Sequence, residues 1–282
     1  MSSSAASWTL WVVGGVALQV LVGVARAPPA PTKQHSNRQR QQNVQRFPQR
    51  SALHLQRKAQ HLLTGLFFYA ATSDLAIDVA GPVLSIAALA FLALHHARGA
   101  VPRVDALYIA CFRGILRQEE AARRVLPGAF YFVAGVALAA ALFPLGVARL
   151  ALLHLTVGDP AASLCGTLFA RGATATRSAP RTPAAVKRVR GWGENKSWAG
   201  FVGAFVATSL VSALAMRFGD LGGRGGGAVE PRGAALAGKA LYSGLVAATA
   251  ESIDLGWDDN LTLPLLSGIF LQLGAAAFGF EL

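Results

Sequence analysis

Residues 146–166 read GVARLALLHLTVGDPAASLCG, an apolar run that ends in the polar patch Gly158 to Ser163. Two further polar patches, Glu194 to Gly200 and Glu251 to Asn260, also adjoin strongly apolar stretches. Ionisable side chains are costly at membrane depth, so their presence there indicates a functional site. A carboxylate, a lysine and a carboxylate pair brought together would suit metal-assisted phosphate chemistry.

The composition is that of an integral membrane protein. Of the 282 residues, 53% are hydrophobic and 14% are charged, with a mean hydropathy of +0.43. The chain is therefore more apolar and less charged than an ordinary soluble domain. We predict an all-α fold, a polytopic membrane helical bundle of about seven or eight transmembrane helices, some of them short or tilted. The apolar segments that would form them are 8–25, 59–73, 76–97, 127–143, 146–165, 198–216, 234–250 and 261–280.

The chain is predicted to have three parts. Residues 1–25 form an N-terminal membrane anchor or a targeting segment. Residues 26–54 form a basic disordered linker, since this stretch is rich in Pro, Gln, Asn and Arg. Residues 55–282 form a membrane-embedded domain. Within it, segment 103–125 interleaves apolar with charged residues, which is typical of an amphipathic helix at the membrane interface.

The net charge of +12 is concentrated in loops. Most of the 26 Lys and Arg residues lie in the stretches 26–58, 98–126 and 171–196. If all eight apolar segments cross the membrane, these stretches share the cytosolic side with 251–260 and with the end of the segment that carries Asp159. Such loops can also bind anionic headgroups. The basic residues are spread out and lack interleaved aromatic residues, so nucleic acid is not an expected partner.

Five motifs, in chain order, resemble those of the CTP-dependent lipid-alcohol kinases. That family includes dolichol kinases, phytol kinases and the diacylglycerol kinases of the endoplasmic reticulum, and it is similar in its middle part to phosphatidate cytidylyltransferases. The resemblance covers residues 55–282 and is closest to the CTP-dependent diacylglycerol kinases. The motifs are RKAQH at 57–61 with Gly65, Arg117 with Glu119 or Glu120 before GAFYF at 128–132, GDPAASLCG at 158–166, NKSWAGF at 195–201 and DDNLTLPLLS at 258–267.

The resemblance implies a membrane-embedded lipid kinase that transfers the γ-phosphoryl group of CTP to the hydroxyl of diacylglycerol, giving phosphatidate. It implies Mg²⁺ as cofactor, and a lipid alcohol, a nucleoside triphosphate and membrane lipids as partners. The expected location is the endoplasmic reticulum membrane, with a chloroplast membrane as the alternative. Three other functions stay open: a phytol or dolichol kinase, a phosphatidate cytidylyltransferase, and a non-enzymatic membrane transporter or scaffold.

The resemblance also implies which residues form the site, in line with the need of phosphoryl transfer for metal ions and cations. Asp159 and Lys196 are the predicted catalytic residues, and Asp159, Asp258 and Asp259 are the predicted Mg²⁺ ligands. Asp258 could instead cap the following helix, and His61 could be a hydrogen-bonded helix-end histidine rather than a base. Predicted contacts to the nucleotide and its phosphates are Arg57, Lys58, Gly158, Gly166, Asn195 and Ser197, with His61, Glu251 and Asn260 as further candidates.

Overall fold

The computed structural model describes residues 50–74, 77–112, 116–123, 125–175, 196–218, 221 and 233–278. Within these ranges the chain is helical and has no strand, which confirms the predicted all-α class. The predicted anchor 1–25 and the linker as far as residue 49 lie outside these ranges. The helices are α1 (Arg50–Asp74), α2 (Ile77–Ala100), α3 (Pro102–Phe112), α4 (Gln118–Ala121), α5 (Gly128–Leu142), α6 (Leu145–Leu153), α7 (Asp159–Ala175), α8 (Trp198–Phe218), α9 (Ala234–Ser252) and α10 (Asp259–Phe278). A π-helical turn, His154–Gly158, joins α6 directly to α7.

The chain divides into two compact units. The first comprises Met1–His61 and Ala93–Pro127, and the second comprises Leu62–Leu92 and Gly128–Leu282. Helices α3 and α4 belong to the first unit, and α5 to α10 belong to the second. The predicted single helix over 103–125 is wrong, because α3 and α4 are separate helices.

Arg98 ties α3 and α4 of the first unit together. Its side chain is fully buried, with the guanidinium over the Tyr108 ring, 4.0 Å from the ring centroid. Its Nε donates to Asp105 Oδ1 at 2.9 Å, and its two Nη atoms donate to Glu120 O at 3.4 Å and Ala121 O at 3.2 Å. Carbonyl oxygens at a helix end have no partner within the helix. The arginine supplies those partners at the end of α4.

The second unit is built around α6 and the π-helical turn. Every residue from Gly146 to Thr156 is buried. These residues contact α5, α8 and α10, and the π-helical turn also contacts α9. Leu155 packs in an apolar cluster with Phe132 of α5, and Leu150 packs in another with Leu271 of α10. A helix that is buried on all sides is typical of the centre of a bundle. This central helix leads straight into Asp159.

Small residues allow α8 to approach α7 closely. A Cβ added to Gly200 would lie 3.0 Å from Ala162 O, and one added to Gly203 would lie 2.5 Å from Cys165 Sγ. A larger residue at either position would push the two helices apart. Such small-residue contacts are common between helices in lipid. They bring the start of α8 beside the first turn of α7.

The exposed side of α8 is apolar, and its buried side includes polar side chains. Val206, Leu210 and Leu214, one on each turn, are 48%, 62% and 58% exposed, whereas Thr208 and Ser212 are fully buried. An apolar exterior around polar interior contacts suits lipid better than water. Among the described residues, three helical segments are long and apolar enough to span a membrane: Ala80–Ala100 in α2, Trp198–Phe218, which is α8, and Asp259–Ala277 in α10. These features are those of a membrane protein.

Candidate functional site

Lys196 joins two carboxylates just before α8 begins. Its Nζ donates to Glu251 Oε1 and to Asp259 Oδ2, both at 3.0 Å. Glu251 lies in the last turn of α9 and Asp259 is the first residue of α10. One ammonium therefore ties together the ends of three helices. The side chains of Lys196 and Glu251 are only 15% and 8% exposed, whereas that of Asp259 is 44% exposed. The site is open to solvent on the Asp259 side.

Asp159 supplies a third carboxylate. It is the first residue of α7 and is 7% exposed. Burial first, and then the negative charge of Asp159, raise the pKa of Glu251 to about 8, although Lys196 opposes this shift. Burial by itself would lower the pKa of Lys196, but the charges of Glu251 and Asp259 outweigh it and raise that pKa above its usual value. We call Asp159, Lys196, Glu251 and Asp259 the carboxylate–lysine cluster.

Local contacts fix the helices that carry this cluster. Ser197 Oγ accepts a hydrogen bond from Gly200 N at 3.1 Å and so caps α8. Gly166 leaves room for that hydroxyl, because an added Cβ would lie 3.1 Å from it. Gly158 ends the π-helical turn, and a Cβ there would lie 3.1 Å from Thr208 Cγ2 of α8. These glycines thus allow close approach between helices, and their contact with a nucleotide stays a prediction.

Asp258 and Asn260 hold the start of α10 in place. Asp258 Oδ1 accepts from Asn260 N at 3.0 Å, and Asp258 O accepts from Leu261 N at 2.9 Å. This is the capping role considered above for Asp258. Asn260 Nδ2 donates to Gly128 O at 3.2 Å and ties α10 to the start of α5. Both residues have a structural role, and a role as metal ligand or site residue stays a prediction.

The structure does not test the other predicted site residues, Arg57, Lys58, His61 and Asn195. Arg57, Lys58 and His61 are on α1 in the first unit, so their approach to the cluster stays a prediction. His61 lies within α1 and not at its end, which contradicts the helix-end interpretation of this residue. Asn195 lies outside the described residues.

A buried polar chain in the core of the second unit was missed by sequence reasoning. His154 Nε2 lies 2.8 Å from Ser243 Oγ, and Ser243 Oγ lies 2.9 Å from Ser212 Oγ. All three side chains are fully buried. They link the π-helical turn to α8 and α9, the helices next to Lys196 and Glu251. A histidine inside a long apolar run is the signal that could have found this chain.

The donor chemistry of the cluster fits Mg²⁺. This ion prefers oxygen ligands and is usually held by one or two carboxylates, with phosphate and water oxygens around the rest of it. Oε2 of Glu251 is buried and has no hydrogen-bond partner in the described part of the chain, so it is an acceptor in need of a partner. No group of three or more His, Cys, Asp or Glu side chains among the described residues is arranged to hold an ion. An ion bound here would take other ligands from phosphate and water.

Comparison with known proteins found no relative of this chain. No protein-family model, no curated protein and no solved structure matches the chain. What the site can do follows from its own chemistry. An ammonium between two carboxylates, with a third carboxylate beside them, combines a phosphate-binding group with oxygen ligands for a divalent cation.

Proposed function

We propose that this protein is a CTP-dependent lipid kinase that transfers the γ-phosphoryl group of CTP to the hydroxyl of diacylglycerol, giving phosphatidate. The observation that carries the proposal is the ammonium of Lys196, hydrogen-bonded to two carboxylates from different helices with Asp159 nearby. Phosphoryl transfer depends mainly on positioning and on neutralising charge with metal ions and cations. The cluster offers groups for both tasks. The order of the five sequence motifs supports the choice of family.

Each member of the cluster has a role in this proposal. One or two of the carboxylates of Asp159, Glu251 and Asp259 would hold Mg²⁺, with Asp258 as a further candidate, and the ion would neutralise charge on phosphate oxygens. Lys196 binds the phosphate that is transferred and stabilises the charge that develops during transfer. The hydroxyl of Ser197 can donate to a phosphate oxygen. The first N–H groups of α8 and the positive end of its dipole favour the same anion.

A lipid acceptor requires a site at the membrane surface. We place the protein in the endoplasmic reticulum membrane, with a chloroplast membrane as the alternative, and assign it seven or eight transmembrane helices. Helices α5 and α9, and the continuous helix of α6 and α7, are apolar enough to join the three longer candidates if they are tilted or embedded in the bundle. The one-sided distribution of basic stretches supports a cytosolic position for the cluster.

A product assay on the full-length protein in lipid nanodiscs tests the chemistry. The protein is incubated with Mg²⁺ and γ-labelled CTP or ATP, with diacylglycerol, phytol or dolichol in parallel. We expect labelled phosphatidate from CTP and diacylglycerol, and about a hundredth of that product or less from Lys196→Ala. Label in phytol or dolichol would change the acceptor. In a further reaction with phosphatidate as the lipid, labelled pyrophosphate together with an unlabelled CDP-lipid would identify a cytidylyltransferase. Failure to transfer label to any lipid would reject the kinase proposal.

Cysteine labelling tests the topology. The two native cysteines, Cys111 and Cys165, are free thiols and are first replaced by Ser. Single cysteines at positions 185 and 258 should then react from the cytosolic side, and cysteines within 222–232 should react from the other side. Labelling of positions 185 and 258 from opposite sides would contradict the proposed arrangement of spans.

A further inference from the structure

The loop Ile253–Asp258 carries an apolar tip next to the carboxylate–lysine cluster. It joins α9 to α10, and its residues Leu255 and Trp257 are 55% and 69% exposed. A single exposed apolar side chain is ordinary on a protein surface, whereas two large ones on one short loop mark a candidate contact surface. We call Leu255, Gly256 and Trp257 the apolar tip.

The loop is held in this shape by its own hydrogen bonds. Gly256 has a φ of +74°, which lies in the left-handed region that favours glycine. Its N–H donates to Asp254 Oδ1 at 2.8 Å and closes a tight turn. Leu255 and Trp257 therefore stand on either side of a fixed glycine.

The base of the loop is closed by the cluster itself. Glu251 precedes the loop and Asp259 follows it, and Lys196 is bonded to both at 3.0 Å. The two ends of the loop are thus held by one ammonium. A contact surface that is ordered before binding loses less conformational entropy when it binds.

The position of the tip relative to two candidate spans indicates what it contacts. Trp257 lies just before the span Asp259–Ala277, and Trp198 is the first residue of the span Trp198–Phe218. The bond between Lys196 and Asp259 places the starts of these two spans at the same level. Trp198 is itself 46% exposed. Tryptophan is enriched where membrane meets water, since its ring is apolar and its N–H is polar.

We propose that the apolar tip inserts into the boundary between the headgroups and the acyl chains of the bilayer, beside the carboxylate–lysine cluster. The partner is the lipid surface itself, and the driving force is the burial of Leu255 and Trp257. The tip is flanked by Asp254 and Asp258, so attraction to anionic headgroups does not drive the insertion. Insertion is independent of the kinase chemistry, and it holds the cluster at headgroup depth.

Tryptophan fluorescence tests the insertion. The full-length protein has five tryptophans, and replacing Trp8, Trp11, Trp192 and Trp198 by Phe leaves Trp257 as the only emitter. This variant is reconstituted into phosphatidylcholine vesicles, with or without lipids brominated on the upper acyl carbons. We expect brominated lipid to quench Trp257 strongly and aqueous acrylamide to quench it weakly. High salt should leave both results unchanged, because the contact is apolar.

Two variants at position 255 complete the test. Leu255→Asp should make Trp257 accessible to acrylamide and shift its emission to longer wavelength, whereas Leu255→Met should keep the original quenching. Strong acrylamide quenching of the parent variant would place the tip in water and overturn the proposal. Protection from both quenchers would mean that protein covers the tip. Quenching by brominated lipid in vesicles with added anionic lipid, but not in phosphatidylcholine alone, would mean electrostatic adsorption. Either result would also overturn it. Kinase activity plays no part in the measurement, so the two proposals fail separately.

Discussion

Two buried cations, Arg98 in the first unit and Lys196 in the second, are held in different ways. Arg98 is fully buried, and it donates to the carboxylate of Asp105 and to two main-chain carbonyl oxygens. Lys196 is 15% exposed and donates to the carboxylates of Glu251 and Asp259. A guanidinium is a rigid fork that suits fixed acceptors, whereas an ammonium on a flexible stem can change partners.

The difference lies in the balance of charge. Two of the acceptors around Arg98 are neutral peptide oxygens that belong to the fold, so its arrangement is complete. At Lys196, one ammonium is bonded to the carboxylates of Glu251 and Asp259, and the charge of Asp159 acts on Glu251. Glu251 Oε2 has no hydrogen-bond partner in the described residues. Buried negative charge without compensation is costly. A further cation relieves that cost, so we interpret Lys196 as part of a site and Arg98 as part of the fold.

Replacing Asp159 by Asn should have the largest effect on turnover. The amide has almost the same shape as the carboxylate, but it carries no charge to hold a metal ion. We expect kcat to fall by at least roughly 10³-fold, while circular dichroism and thermal unfolding stay unchanged. The measurement is kcat in nanodiscs at saturating CTP. Near-normal turnover would show that Asp159 is not part of the site. It would also weaken the contrast in charge between the surroundings of Lys196 and those of Arg98.

Substitutions at Lys196 and Arg98 test directly whether the two cations have different roles. Lys196→Ala should lower kcat by roughly 10²–10³-fold, because a charge that stabilises the transferring phosphoryl group is lost. Lys196→Arg should recover only part of the rate, since a planar fork does not replace a compact ammonium. The matched control, Arg98→Lys, should leave kcat unchanged. Small and equal effects at both positions would mean that Lys196 is no more than a topology charge.

The pH dependence of metal activation should depend on Glu251. Its raised pKa, about 8, means that the carboxyl group holds its proton at lower pH and releases it as the pH rises. Because a ligand must lose its proton to bind metal, the Mg²⁺ concentration for half-maximal activity should fall as the pH rises. Glu251→Gln should raise that concentration roughly tenfold and abolish its pH dependence.

The control for this experiment is Glu119→Gln, which changes an exposed carboxylate of the first unit. In this variant the Mg²⁺ concentration for half-maximal activity should depend on pH as it does in the wild type. If the pH dependence of Mg²⁺ activation persists in Glu251→Gln, another group titrates and Glu251 is not a ligand.

Arg98→Met should have the smallest effect on turnover and a clear effect on stability. Asp105 and two carbonyl oxygens lose their donor, which should lower the free energy of unfolding by about 1–3 kcal/mol. Thermal unfolding in detergent measures the loss, and kcat below the unfolding temperature should be unchanged. A fall in kcat without a change in unfolding temperature would place Arg98 among functional residues and break the contrast with Lys196.

Most helices could be predicted from the sequence because their ends coincide with changes in local composition. The apolar segments 127–143, 198–216 and 234–250 lie close to α5, α8 and α9. The cap at the end of α4 could not be predicted, because it depends on Arg98 reaching carbonyl oxygens more than twenty residues further along the chain. No local pattern encodes such a contact.

The candidate site could be predicted only in part, for a similar reason. Lys196, Glu251 and Asp259 were all named from the sequence, but Asp258 and Asp259 could not be told apart there. The helix begins between them, so Asp258 turns back to cap α10 while Asp259 reaches the ammonium. Neither the bond from Lys196 to Glu251 nor the buried chain of His154 could be foreseen, since both join residues from distant helices.

The π-helical turn His154–Gly158 lies between α6 and α7, so the number of residues in it sets the direction of Asp159. Each residue of a regular α-helix adds about 100° of rotation, so one extra residue changes the direction of everything that follows it. Deleting any one residue of the turn would leave the hydropathy almost unchanged but would aim Asp159 at a different neighbour. A redesign of this helix must therefore keep the register of the chain as well as the packing of its buried side chains.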